Sequence, residues 1–409
     1  MINKHVTGKL RDFYDVKSDP TIFDGDIPYT GSLTPNWDRL RGIKKIKFFL
    51  GYINLQIDQV EVKHQNQTNS HIFKPIFYSQ ENSRELHCHV LTKDILFHTL
   101  NGIAKALYWL KVDSDIEVEI NFGTEMFSDL TNGWKINDSV IVGRKESLEN
   151  FVRLLWLLDN KVIGLDKFKE ISLSLEASRL QPTDNLKYKE YIKLANKELG
   201  LIEQSTVSLV AQSSNIKYLN KNITLVQLSW GQTMTNDLFS RLYEINPNIT
   251  KIAMIGGAGY NGSDAVDVDD IFYPTSVVSG NDHNGYSKMM IENSALTESA
   301  NKLFNNKKVT SGSMYSIVQN KGVISNYNLI KNNGGKINAF DMEMDFICKI
   351  VAKHPNTRFL AACYIMDLPA KKLDLGNTYY NLDFLTKLFS NFNRGKYFCM
   401  EKALQFITK

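Results

Sequence analysis

The segment 250–275, TKIAMIGGAGYNGSDAVDVDDIFYPT, constrains the fold of this chain more than any other stretch. Residues 252–255 form a short apolar run, which is typical of a strand that is covered on both faces. Three glycines within 256–259 follow, and we predict that they end the strand in a turn where a ligand can approach the backbone closely. A second strand is predicted over 270–278. A turn that only reverses the chain is the alternative interpretation of these glycines.

Composition places the chain among ordinary globular proteins. Of its 409 residues, 43% are hydrophobic and 22% are charged, and the net charge of +4 is spread over interleaved lysines and acids. No block of basic residues indicates nucleic-acid binding. No segment reaches 18 uninterrupted apolar residues, and the first 16 residues do not resemble a signal peptide. We therefore expect a soluble cytoplasmic protein that binds neither nucleic acid nor membrane.

The sequence offers little support for a metal or a cofactor. The glycines of the central segment lack the spacing of a dinucleotide-binding fingerprint. His87 and His89 would share one face of a predicted strand, and a metal site with His98 is one interpretation, but nothing directs His98 to that strand. The cysteines show no C-x-x-C spacing, which argues against a zinc ribbon or a disulfide scaffold. We expect no metal and no cofactor.

Two domains are expected from the length and the pattern. Residues 1–200 read as an α+β domain, with a linker region at 165–200, and residues 201–409 read as an α/β domain. The first is predicted to have strands within 43–57, 71–78, 86–91 and 116–122 and helices over 93–110 and 146–158. The second alternates strands (206–213, 222–229, 252–255, 270–278) with helices such as 236–245. Ligands in such sheets bind beyond the carboxyl ends of the strands, where the glycines at 231 and 256–259 are both expected.

Five motifs in order carry a family resemblance: LSWGQTMTN at 228–236, IGGAGY at 255–260 followed by VDDIFYPT, TSGSMYSI at 310–317, FDMEMDF at 340–346 and AACYIMDLPA at 361–370. Together they resemble the purine nucleoside phosphorylase and nucleosidase superfamily, which includes methylthioadenosine/S-adenosylhomocysteine nucleosidases and AMP nucleosidase. The resemblance covers roughly residues 205–400. It implies a three-layer α/β/α domain with a mixed central sheet, a nucleoside or nucleotide ligand and a homo-oligomer.

The resemblance also implies roles for particular residues. Asp367 would be the general acid that protonates the departing base, and Glu343 would hold the ribose hydroxyls. Tyr315 would stack on the purine, with the backbone of Ser316 at its edge. The remaining substrate-binding positions would be Met342 against the sugar, His283 towards the 5′ side, and Gly231, Gly257, Ala258 and Gly259 in the glycine loops.

Two departures from the family pattern bear on the reaction. Met366 precedes Asp367 where the family has serine, so the acid loses a hydroxyl partner. No arginine follows Gly231, and Arg241 is a helix away, which favours hydrolysis over phosphorolysis. Phosphorolysis and a non-catalytic nucleoside-binding protein remain the alternatives. Without the family, Asp367 before Pro369 reads as a turn residue, and the acids of DMEM read as helix N-terminal charge.

Overall fold

The computed structural model of the protein contains two β-sheets with helices. It describes residues 5–10, 42–51, 76–78, 84–90, 96, 100, 103, 115–122, 127–177, 188–204, 212–228, 232–260, 266–267, 269–279, 286–288, 309–316, 338–341, 343–367 and 394–409.

A five-stranded sheet is formed by the first part of the chain. Its strands are β1 (His5–Lys9), β2 (Lys45–Leu50), β3 (Ile76–Tyr78), β4 (Glu85–Val90) and β5 (Glu117–Phe122), in the order β1-β5-β2-β4-β3. Strands β3, β4 and β5 confirm the predictions around 71–78, 86–91 and 116–122. The alternation at Ile53, Leu55 and Ile57 that predicted a strand within 43–57 lies outside the described residues. Burial alternates along β2, so that Ile46 and Phe48 face a core. On the opposite face the Lys45 ammonium lies 2.9 Å from Glu117 and 2.8 Å from Glu119.

The second sheet has ten strands among the described residues. They are β6 (Ser139–Gly143), β7 (Ile202–Glu203), β8 (Ser213–Tyr218), β9 (Lys221–Gln227), β10 (Lys251–Tyr260), β11 (Ile271–Ser279), β12 (Tyr286–Lys288), β13 (Val309–Ser316), β14 (Ala339–Asp341) and β15 (Arg358–Asp367). The order is β12-β11-β13-β14-β10-β6-β9-β8-β7, and β15 pairs with β10 and β11. Parallel and antiparallel pairs both occur, so the predicted mixed sheet is confirmed.

Helices pack against both faces of this sheet. The described helices are α1 (Phe127–Leu130), α2 (Lys145–Asp159), α3 (Leu165–Ala177), α4 (Lys189–Glu198), α5 (Gln232–Ile245), α6 (Met344–Val351) and α7 (Arg394–Thr408). Helices α2 and α5 confirm the helices predicted over 146–158 and 236–245. Of the helix predicted over 93–110, only residues 96, 100 and 103 are described, and they are helical and buried.

Successive residues of the central strand β10 belong to two different cores. Ile252 and Met254 lie in one apolar cluster, with buried residues of α5, α6 and the first sheet. Ala253 and Ile255 lie in another, with buried residues of α2, α3, α4 and α7. Since side chains of a strand alternate between faces, this division shows apolar contact on both sides of the sheet, as the continuous apolar run predicted.

The second sheet includes chain that precedes residue 201. Strand β6 pairs in parallel with β10 and β9, and α3 and α4 occupy most of the predicted linker 165–200. Buried Phe168, Ile171 and Ala195 from these helices join the core beneath the sheet. The apolar run SVIVG forms β6, so the second sheet contains strands from both sides of the predicted boundary at residue 200.

The glycines of IGGAGY do not form the predicted turn. Strand β10 continues through them to Tyr260, and none of the three has a positive φ. A Cβ at Gly257 would meet the side chain of Met366, and a Cβ at Gly259 would meet the ring of Phe340. Glycine at these two positions therefore makes room for neighbouring side chains inside the sheet.

Within the part of the chain that the structure describes, no helix is long and apolar enough to cross a membrane.

Candidate functional site

Three of the sequence motifs meet at the carboxyl end of β10. Gly259 pairs with Phe340 of β14 on one side and with Asp367 of β15 on the other. Phe340 belongs to FDMEMDF and Asp367 to AACYIMDLPA, so segments from distant parts of the sequence lie against IGGAGY. This end of β10 is where the topology brings the predicted residues together.

Strand β13 adds a fourth motif beside β14. Tyr315 pairs with Phe340, and Ser316 pairs with Asp341 in the parallel ladder between these strands. The strand residues of TSGSMYSI and FDMEMDF therefore end at the same edge of the sheet, with Ser316 opposite Asp341.

A β-bulge interrupts the pairing of β10 with β15 at this point. Ala258 pairs with Ile365 and Gly259 pairs with Asp367, so Met366 is the extra residue on β15. The side chain of Met366 lies over Gly257. A bulge changes which residue stands opposite a given position, and here it sets Asp367 opposite Gly259.

Tyr315 is enclosed by protein side chains. It is 1% exposed and forms a small apolar cluster with Val278, against which the half-buried Phe340 packs. Its hydroxyl is buried and has no hydrogen-bond partner among the described residues. Burial raises the pKa of the Tyr315 phenol. Of the two aromatic side chains, Phe340 is the more accessible to a ligand. It stands within the FDMEMDF motif, but no role was predicted for it.

Two buried carboxyl groups follow β14. Asp341 is 7% exposed and Glu343 is 9% exposed. The Asp341 Oδ2 accepts a hydrogen bond of 2.8 Å from the backbone N–H of Met344, whereas its Oδ1 has no partner among the described residues. Burial, reinforced by the charge of Glu343, raises the pKa of Asp341 well above its usual range. The family resemblance implied a role for Glu343 but none for Asp341.

Ser316 contacts the same helix end through its side chain. Its Oγ accepts a hydrogen bond of 3.2 Å from the backbone N–H of Asp345. The Asp345 carboxylate in turn accepts a 2.8 Å bond from the Lys349 ammonium. The Ser316 hydroxyl is thus tied to the first turn of α6.

Strand β6 contributes residues to this side of the sheet that the sequence analysis missed. Met254 pairs with Val142, so Gly143 and Arg144 follow β6 beside Ile255 and the glycines of β10. Arg144 is half-buried and is the N-cap residue of α2. The signal for it was present in SVIVGRKE, an apolar run that leads through glycine and a basic pair into an amphipathic helix.

Arg241 contacts residues outside the motifs described above. Its Nε donates to the Thr131 hydroxyl over 2.9 Å, and its Nη1 contacts Glu244 over 3.0 Å. These contacts hold its guanidinium against Thr131, the residue after α1, and against its own helix α5.

Some predicted site residues are not described. Gly231, Met342, His283 and the side chain of Asp367 lie outside the described residues. Among the positions that are described, Gly257 is exposed, whereas Ala258 and Gly259 are buried. The fold brings together Gly259, Tyr315, Ser316 and Glu343 with the backbone of Asp367.

No group of three or more histidine, cysteine, aspartate or glutamate side chains within the described ranges could hold a metal ion. His87 lies 3.5 Å from Glu85, and the side chain of His89 is not described.

No protein-family model matches the sequence, and no curated protein matches it. Solved structures do resemble the chain. A uridine phosphorylase from Vibrio fischeri is 13% identical, with a TM-score of 0.40 and coverage of 66% of this chain and 93% of that one. A methylthioadenosine/S-adenosylhomocysteine nucleosidase from Colwellia psychrerythraea, in complex with adenine, is 14% identical, with a TM-score of 0.40 and coverage of 66% and 96%.

A futalosine hydrolase from Helicobacter pylori is 14% identical, with a TM-score of 0.37 and coverage of 66% of this chain and 95% of that one.

Proposed function

We propose that the protein is an N-glycosidase that hydrolyses the bond between base and ribose in a purine nucleoside or nucleotide. The observation that carries this proposal is the double pairing of Gly259, with Phe340 on one side and Asp367 on the other. It brings an acid, an aromatic side chain and the segment of Glu343 to one end of the sheet, where ligands bind in α/β folds.

Asp367 is the proposed general acid. Cleavage of an N-glycosidic bond leaves an oxocarbenium-like sugar and a base that carries excess electron density, so protonation of the base assists its departure. Asp367 ends β15 after Ile365, which is fully buried, and Met366, which is partly buried. Apolar surroundings of this kind favour the protonated form of a carboxyl group.

Glu343 is the proposed ribose-binding residue. A buried carboxylate accepts hydrogen bonds from sugar hydroxyls, and such bonds to a charged group are stronger than neutral ones. Glu343 immediately precedes α6, two residues after Asp341, which is paired with β13. These contacts support a fixed position for the group that would hold the sugar while the base departs.

The base is proposed to lie against Phe340, with Tyr315 behind it. Purines stack on aromatic rings, and Phe340 retains an accessible surface whereas Tyr315 is enclosed. This assignment modifies the expectation from the family resemblance, in which Tyr315 itself stacks on the base.

Phosphorolysis is the second candidate, and Arg144 is the observation that favours it. An arginine at this edge could bind a phosphate through two parallel hydrogen bonds. The guanidinium of Arg241, by contrast, contacts Thr131 and Glu244. In a phosphorolytic enzyme, Arg144→Gln would raise the KM for phosphate; in a hydrolase, base release would not require phosphate at all.

The proposal is tested by incubating the protein with adenosine, methylthioadenosine, AMP and ATP and measuring the free base, with and without inorganic phosphate. Base released without phosphate supports hydrolysis, and base released only with phosphate supports phosphorolysis. Binding of these ligands without release of base would support the non-catalytic alternative.

A further inference from the structure

The carboxyl group of Asp341 is held at the junction of three elements. It ends β14, pairs through its backbone with Ser316 of β13, and contacts the first turn of α6. Its Oδ2 accepts the Met344 N–H at 2.8 Å. This bond fixes the backbone directly after Glu343.

Ser316 completes the arrangement from the neighbouring strand. Its Oγ accepts the Asp345 N–H over 3.2 Å. The N–H groups of residues 344 and 345 are therefore bound by the side chains of Asp341 and Ser316. The first N–H groups of a helix have no partner within it, and Glu343 itself makes no capping bond with its side chain.

We propose that Asp341 is a positioning residue that fixes the buried Glu343 carboxyl group for catalysis. The catalytic part of this inference rests on the proposed function. The hydrogen bonding of Asp341 to the turn that carries Glu343 does not depend on it. Without the Asp341 acceptor, the turn that carries Glu343 loses one of these two hydrogen bonds, and small displacements of a substrate-binding group reduce turnover strongly.

Several ionisable groups surround the carboxyl groups of Asp341 and Glu343. Glu343 faces Asp341 from the entry to α6, and Cys348 of α6 and Cys363 of β15 both lie within electrostatic range of Asp341. Asp345 and Lys349 form an ion pair of 2.8 Å on the same helix. Burial and the Glu343 charge favour the protonated form of Asp341, so asparagine at 341 would resemble the group in both shape and charge.

The test compares Asp341→Asn, Asp341→Ala and Ser316→Ala with the wild-type protein. Asparagine keeps an acceptor oxygen for the Met344 N–H, whereas alanine removes it. We expect Asp341→Ala to lower kcat/KM for base release about tenfold or more, Ser316→Ala to have an intermediate effect, and Asp341→Asn to remain within about threefold of wild type. Ile171→Val, in the core beneath the opposite face of the sheet, is a destabilised control with an intact site.

Amide hydrogen exchange of the segment 341–351 provides a readout that does not depend on activity. We expect faster exchange of the Met344 amide in Asp341→Ala, near-native exchange in Asp341→Asn, and no local change in Ile171→Val. If wild-type protein releases no base, the proposed function fails, and the exchange result still decides whether Asp341 fixes the turn.

Two outcomes would overturn the inference. One is unchanged exchange at Met344 in Asp341→Ala. The other is an activity loss in that variant that only follows its unfolded fraction, as in the Ile171→Val control, because this would reduce Asp341 to a stabilising residue.

Discussion

Gly259 and Asp367 stand opposite each other across the ladder of β10 and β15, because a bulge at Met366 shifts the register by one residue. Without the bulge, Gly259 would pair with Met366. The bulged methionine instead covers Gly257, where a Cβ would collide with it. The departure from the family pattern at 366 and the glycine at 257 are thus parts of one packing arrangement.

Replacing Asp367 by asparagine removes the proposed proton donor. We expect kcat for base release to fall about a hundredfold or more, the usual scale for loss of a general acid. The matched control is Asp166→Asn, an exposed aspartate in the first turn of α3, for which wild-type rates are expected. Steady-state measurement of kcat for both variants checks this prediction. An unaltered kcat in Asp367→Asn would remove this residue from the mechanism.

Replacing Glu343 by glutamine removes the charge that is proposed to hold the ribose. Hydrogen bonds to a charged group contribute about 1.5–3 kcal/mol, so we expect kcat/KM to fall roughly 10- to 100-fold. Glu198→Gln, at an exposed position at the end of α4, is the control. Equal kcat/KM values for the two variants would show that Glu343 does not contact the sugar.

Alanine at Gly259 is expected to destabilise the fold. The added methyl group would collide with the Phe340 ring, and overpacking of this kind costs about 1–3 kcal/mol. Gly164→Ala is the control, since nothing lies within 4 Å of a Cβ there. Urea unfolding curves should shift to lower midpoints only for Gly259→Ala. Coincident curves for the two variants would mean that the ring is not held against β10.

Leucine at Phe340 is expected to weaken binding of the base. Aromatic stacking contributes about 0.5–1.5 kcal/mol beyond area burial, so the KM for a purine substrate should rise about 2- to 12-fold. Phe346→Leu, at a half-buried position on α6, tests whether loss of any aromatic residue nearby has this effect. A larger rise in KM for the Phe346 variant would contradict the assignment of Phe340.

The raised pKa of Asp341 predicts a pH dependence of stability. An aspartate has a pKa of about 3.9 in an unfolded chain, so the folded protein binds this proton more tightly than the unfolded one. The stabilisation is complete below about pH 4 and is lost as pH rises towards the folded pKa. The stability of the wild type relative to Asp341→Asn should therefore decline with rising pH. Parallel stability curves would contradict the buried protonated group.

The sequence predicted much of the second sheet because its strands are apolar enough to be recognised locally. Residues 252–255 and 222–229 show this most clearly, since their continuous apolar runs correspond to β10 and β9. Strand β6 was not predicted, although its sequence SVIVG is an apolar run of the same kind. Its pairing with β9 and β10, more than 80 residues away, could not be read from the run itself.

The full length of β10 could not be predicted from its own residues. Three glycines in four residues are typical of a turn, and they remain extended here because Met366 and Phe340 occupy the space beside them. The position of Asp341 beside Ser316 could not be predicted from the local sequence either. Its role depends on Ser316, which is 25 residues earlier in the chain and becomes its neighbour only through the pairing of β13 with β14.

The central claim is that the protein hydrolyses the N-glycosidic bond of a purine nucleoside or nucleotide. Its most direct test is the release of free base from adenosine, methylthioadenosine, AMP and ATP by the purified chain of 409 residues, with and without inorganic phosphate. The account predicts free base from at least one substrate at a rate that phosphate does not increase. Release of base only with phosphate, or no release from any of the four, would contradict it.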